Sequence, residues 1–142
     1  MSERITRHLD RSFGLYGDLI ESLPADALDK KLPDLPSSPI GNQLWCVVGT
    51  RESYGKAIEA GEFTGWACSL SDYAKDNVAG KLAESAKGVI EVLAAVDLDD
   101  VRNDYALELL EHETQHHGQL IRYLYGLRLD IPANWKERWA LD

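Results

Sequence analysis

Tyr105-Ala-Leu-Glu-Leu109-Leu-Glu-His112-Glu-Thr-Gln-His116-His-Gly-Gln-Leu120-Ile-Arg-Tyr123-Leu-Tyr-Gly-Leu127 is the stretch whose spacing decides the fold. Tyr105, Leu109, His112, His116, Leu120, Tyr123 and Leu127 recur in steps of three and four, which is one face of an α-helix. A helix over about 99–126 follows, started by Asp99 and Asp100, where negative charge suits the N-terminal dipole. His112 and His116 hold places that the stripe otherwise gives to Leu and Tyr, so both are expected to face the interior.

The same spacing recurs upstream. Ile5, Leu9, Phe13, Tyr16, Ile20 and Leu23 predict a helix over about 3–23. Pro24 and Lys31-Leu-Pro-Asp-Leu-Pro-Ser-Ser-Pro39 make a turn-rich connector. Ser38-Pro39 reads as a helix start with a side-chain cap and a first-turn Pro. Ile40, Leu44, Val47 or Val48, Tyr54 and Ile58 continue that helix to Gly61, a C-terminal cap. After the aromatic loop Gly61–Cys68, Ser69 with Asp72 resembles a capping box. Leu70, Ala74, Val78, Leu82, Val89, Leu93 and Val96 then form a third stripe. Asn134-Trp-Lys-Glu-Arg-Trp139 reads as a short terminal helix or cap. No segment alternates with period two over a useful length. The expectation is an all-α chain, one domain over 1–142, built as a four-helix bundle with a short C-terminal helix.

Composition narrows the function. Among 142 residues, 24 are acidic and 15 basic, for a net charge of −9. A chain so acidic is not expected to bind nucleic acid or an anionic membrane surface, since both select a positive face. No run approaches the ~20 apolar residues of a membrane span. Met1–His8 has no apolar run after its charges, so no secretory signal is expected, and the cytoplasm is the default compartment. Cys46 and Cys68 are too few for a disulfide scaffold and are expected reduced there, with a single Cys46–Cys68 bridge left open.

Three of the four histidines fall between 112 and 117. On a helix, residues i and i+4 lie about 6 Å apart along the axis on one face. One helix can therefore offer His112 and His116 to one metal ion. The competing reading is a pair of core histidines bonded to polar groups on facing helices. His117 lies a third of a turn away and is expected at the surface or beside the ligands. His112-Glu-Thr-Gln-His116 also matches H-E-x-x-H, the zinc-peptidase motif in which the glutamate activates water. The longer metzincin pattern fails, because Gly118 comes a residue early and Arg122 replaces the third His. Glu137 is a loose choice for a distal ligand, and no strand is available to hold an extended peptide.

A catalytic ion of the zinc type usually takes three protein ligands and keeps one position open. The third ligand has three candidates: His8, Cys46 and Glu52. A thiolate beside two imidazoles is a soft set that suits zinc. Glu113 and Glu52 are the candidate proton acceptors, or orienters of the ligands.

Two stretches resemble the DinB-like family of four-helix-bundle metalloenzymes. Pro39-Ile-Gly-Asn-Gln-Leu-Trp-Cys46 resembles that family's S-I-G-x-x-L-x-H. His112-Glu-Thr-Gln-His116-His-Gly-Gln-Leu120, followed by Pro132, is similar to its H-x-x-x-H-R-G-Q. The resemblance implies a metal held by one His of the second helix and both of H-x-x-x-H. Here His112 and His116 match, Cys46 stands where the first His belongs, and His117 replaces the usual Arg. Either Cys46 is a ligand or the site has lost an arm. The resemblance further implies a divalent metal, zinc first, with nickel, iron and manganese as alternatives. It implies a small-molecule substrate and thiol-dependent transferase or isomerase chemistry using a low-molecular-weight thiol. Homodimers are also implied, with Trp66, Trp135 and Trp139 available for an interface or a pocket mouth. The rival functions are a non-catalytic metal-binding or dimerisation module with an eroded site, and the zinc peptidase.

Overall fold

A computed structural model of the chain describes residues 2–142; Met1, the first residue of the stretch read for a leader, lies outside them. The described chain is all-helical. Four long helices pack together: α1 (Ser2–Ser22), α2 (Ile40–Ala60), α3 (Lys75–Ala95) and α4 (Asp100–Gly126). A short helix, α5 (Ala133–Trp139), docks on α1, and a 3-10 turn (Ala25–Asp29) lies in the first connector. No described helix is long and apolar enough to cross a membrane.

α2 lies between α3 and α4, and α1 closes the ring on their other side. Gln43 meets His116 while Tyr54 meets Glu108, so α2 and α4 are antiparallel. Lys75, at the start of α3, donates to the carbonyls of Glu21 and Leu23 at the end of α1, so these two are antiparallel as well. α2 and α3 run parallel, because their contacts advance together: Gly41 lies against Tyr73, Arg51 reaches the Leu82 carbonyl and Gly55 lies near Val89.

Parallel neighbours cannot be joined by a tight turn. The chain has to return along about 30 Å of helix, and residues 61–74 do so as an extended strap at ~3.3 Å per residue. The strap lies on α2. Ser53 exchanges hydrogen bonds with Ala67, the Cys68 thiol donates to the Trp45 carbonyl, and Glu52 accepts from the Ser69 amide and hydroxyl. Two α2 glycines make the approach possible. A Cβ at Gly41 would meet the Tyr73 ring at 2.5 Å, and one at Gly49 would collide with Trp66 and Cys68. Gly61 ends α2 at φ 76, with its amide on the Ala57 carbonyl.

This crossover overturns one expected boundary. Ser69 and Asp72 do not start α3. Ser69 is held by Glu52, and Asp72 Oδ1 accepts from the Ala74 amide at 2.9 Å and from Asn77. Helix begins only at Lys75, once the strap has returned to the start of α2. Ser38 likewise does not cap α2 with its side chain; its carbonyl accepts from the Tyr123 hydroxyl. Asp99 does cap α4, accepting from the Arg102 amide at 2.9 Å.

The apolar interior is divided into two clusters. One holds Leu15, Tyr16, Leu19, Leu44, Val48, Val78, Leu82, Leu120 and Trp135. The other holds Ile5, Leu9, Phe13, Ile58, Val89, Leu93, Ala106 and Leu109. Between them, Ser12 on α1, Arg51 on α2, Ser85 on α3 and Glu113 on α4 form a buried polar layer. Trp135 is fully buried, with its indole N–H on the Leu15 carbonyl at 2.6 Å, so it forms no interface. Trp66 is exposed and Trp139 half-buried.

The strap predicts a contrast between glycines. Gly49→Ala should lower stability by ~1–3 kcal/mol through overpacking. Gly80→Ala, in α3 with open space where its Cβ would go, should be neutral or stabilising by up to ~1 kcal/mol. Urea unfolding of both variants checks this; equal losses would contradict the tight approach.

Candidate metal centre

The rotation of α4 is set by the polar layer. Arg51 donates through Nη2 to Glu113 Oε1 at 2.9 Å and through Nε to Oε2 at 3.1 Å, and both side chains are wholly buried. Its Nη1 donates to the Leu82 carbonyl, and its guanidinium lies 4.4 Å from the Phe13 ring centroid. Ser12 donates to Glu113 Oε1, and the Tyr16 hydroxyl donates to the Glu113 carbonyl. With Glu113 aimed at the bundle axis, the residues flanking it point to either side. His112 and His116 face α2, and His117 faces α1 and α5.

On the α2 side, three turns of helix present Gln43, Cys46 and Thr50. Cys46 Sγ lies 3.5 Å from His112 Nε2, and His112 Nε2 lies 3.1 Å from His116 Nε2. The donor atoms of Cys46, His112 and His116 all fall within 4.8 Å of one another, so this group could hold a metal ion. A tetrahedral ion with M–N of ~2.05 Å and M–S of ~2.3 Å sets N···N at about 3.3 Å and S···N at about 3.6 Å. The Cys46–His112 and His112–His116 edges, at 3.5 Å and 3.1 Å, come close to those lengths, while the third edge is bounded only by the 4.8 Å that encloses the group.

Tautomers follow from the neighbours. His116 Nδ1 lies 2.6 Å from Gln43 Oε1, which can only accept, so Nδ1 carries the proton and Nε2 presents a lone pair. His112 Nδ1 is buried with no partner. Without an ion the pair is consistent as His112 Nε2–H donating to His116 Nε2; for both Nε2 lone pairs to face a cation, the His112 proton would move to its own Nδ1, the buried atom without a partner. Thr50 Oγ1 sits 3.3 Å from His112 Nε2 and accepts from the Trp66 indole at 3.2 Å, so Thr50 links the exposed strap tryptophan to His112. Burial holds His116 down to about 4, helped by His112, and lowers His112, helped by Arg51. Both imidazoles therefore stay neutral, the form that ligates. Burial raises the Cys46 thiol, an effect the Thr50 hydroxyl opposes.

The other candidates lie elsewhere. Glu113 is bound on both oxygens by Arg51 and Ser12, so it is not placed to activate water beside the histidines. Glu52 holds the strap through Ser69. His8 is exposed and accepts from Arg11 at 2.9 Å. Glu137 is on the outer surface of α5. His117 is not at the surface: only 3% of it is exposed. Ser12 gives its hydroxyl proton to Glu113, so the 2.9 Å contact between Ser12 Oγ and His117 Nε2 is an Nε2–H donating to Ser12. Gln43, Thr50 and Arg51 were missed in the sequence, although Gln43, Cys46 and Thr50 share helical spacing. No protein-family model and no curated protein matches the chain.

Two predictions follow from the polar layer. Glu113→Gln leaves Arg51 buried without a counter-charge and should cost ~3–5 kcal/mol in chemical unfolding, whereas Arg51→Met with Glu113→Leu should recover most of it. Additive losses in the double variant would contradict a coupled pair. His117 is held down to about 3 by burial, aided by Arg51, Arg138, His116 and Arg11. The unfolded imidazole titrates near 6.5, so between these values the unfolded chain binds more protons. Stability of metal-free protein should thus fall as pH drops below about 6.5. A urea midpoint higher at pH 5 than at pH 7.5 would contradict it.

Proposed function

We propose that this chain is a metal-dependent enzyme of the DinB-like kind, acting on a small molecule. Cys46, His112 and His116 would be the protein ligands of one divalent ion, zinc first, with a fourth position open to substrate. The observation that carries this reading is the match of the Cys46–His112 and His112–His116 separations to the edges of a tetrahedral site. The acidic, span-free chain with two free thiols supports a reducing, cytoplasmic setting.

The chain's own residues suit thiol chemistry better than hydrolysis. Among the described residues no carboxylate stands free beside the cluster, since Glu113 is paired with Arg51 and Glu52 with Ser69. A bound ion would supply the acidity that turns an incoming low-molecular-weight thiol into a thiolate nucleophile. Gln43 fixes the His116 ring, Thr50 places a hydroxyl between Cys46 and His112, and Trp66 forms an apolar wall at the mouth. A peptidase would need Glu113 released from its ion pair, and nothing in the arrangement favours that.

Protein grown with added zinc should contain about one ion per chain. His112→Ala and Cys46→Ser should both lose most of it while keeping their helical signal. Gln43→Leu should weaken metal affinity by about 10–100-fold, as loss of a ligand-orienting partner does. A metal content near zero in the parent protein would overturn the reading. Full retention in Cys46→Ser would remove Cys46 from the ligand set and favour an eroded, non-catalytic site.

A further inference from the structure

On the side of α4 opposite the metal cluster, a cavity of about 160 Å³ opens between α1, α4 and α5. His8, Arg11, Ser12, His117, Arg138 and Trp139 line it among others. Two of these lining residues each carry a buried polar atom with no partner: the Trp139 indole N–H and His117 Nδ1. Such atoms in a polar cavity call for a ligand, since an unpaired buried polar group costs ~1–3 kcal/mol.

The two orphans ask for different things. Trp139 Nε1 can only donate. His117 carries its proton on Nε2, where it is spent on Ser12, so Nδ1 can only accept. The rim adds positive charge in a chain whose net charge is −9. Among the described residues, neither Arg11 nor Arg138 has a carboxylate within ion-pair distance. Asp18, in the adjoining groove, accepts from Asn134 instead. Arg138 stacks on the Trp139 ring at 4.0 Å, and desolvation, then the like charge of Arg11, lowers its pKa. Two guanidinium groups held near each other without a counter-charge mark a place for an anion.

We propose that this cavity binds a small hydroxylated oxyanion. Its acceptor oxygens meet the Trp139 N–H and the Arg11 and Arg138 guanidinium groups, and its one O–H donates to His117 Nδ1. Hydrogenphosphate and bicarbonate are the simplest ions with that pattern. Sulfate has the charge and the acceptors but no O–H at neutral pH. The site is independent of the metal cluster, and its occupant need not be a substrate.

The test follows the indole N–H resonances of the ¹⁵N-labelled protein, with Trp139→Phe identifying the Trp139 peak. Sodium phosphate, bicarbonate and sulfate are titrated separately at one ionic strength. Phosphate or bicarbonate should shift the Trp139 peak saturably, and the comparison identifies which. Sulfate should bind at least tenfold more weakly. Arg11→Gln with Arg138→Gln, both at exposed positions, should weaken the binding at least tenfold while leaving the urea midpoint near that of the parent. Metal content should not change in that variant. Absence of a saturable shift with either ion, sulfate binding as tight, or undiminished binding in the arginine variant would each overturn the proposal.

Discussion

The buried Arg51–Glu113 pair is the interaction on which the rest of the bundle depends. One guanidinium joins α2 to the Glu113 carboxylate of α4, to the Leu82 carbonyl of α3 and to the Phe13 and Tyr16 rings of α1. Two charges removed from water are costly unless every hydrogen-bonding position is used. The bidentate fork, the Leu82 carbonyl and Ser12 give every Arg51 nitrogen and both Glu113 oxygens a partner. The layer separates two apolar clusters and permits few alternative rotations, because a helix turned by one residue would strand a charge in hydrocarbon. That fixes which side of α4 His112 and His116 face.

The second constraint is topological. Running α2 and α3 in the same direction obliges residues 61–74 to return over the outside of α2. The strap therefore crosses α2 close to Cys46 and His112 and brings Trp66 to Thr50. Gly41 and Gly49, which carry no chemistry, make room for it. Fold and site are linked by this crossing. The segment that solves the connection problem also sets Trp66 beside the cluster.

The helical stripes were legible because period 3.6 survives in apolar residues on all four long helices. The start of α3 was not, since Ser69 and Asp72 form their bonds with Glu52, Ala74 and Asn77 and not with a helix end. Cys46, His112 and His116 could be gathered from spacing and the family-like motifs, and the structure brings them together. The resemblance itself rests on those quoted residues alone. Glu113 was misread for a physical reason. A motif places the glutamate one residue from a histidine, but only packing shows which side of the helix that residue takes. Arg51 gives no local signal of burial, and its partner lies 62 positions away. His117 and Trp135 looked peripheral because α5 folds back over α1, a contact that no local pattern encodes.

X-ray absorption at the metal edge of the zinc-loaded protein addresses the claim that Cys46 completes the ligand set. One sulfur at about 2.3 Å and two imidazole nitrogens at about 2.0–2.1 Å are expected, with a fourth light atom. The sulfur should vanish in Cys46→Ser. A shell of nitrogen and oxygen alone in the parent protein would contradict it.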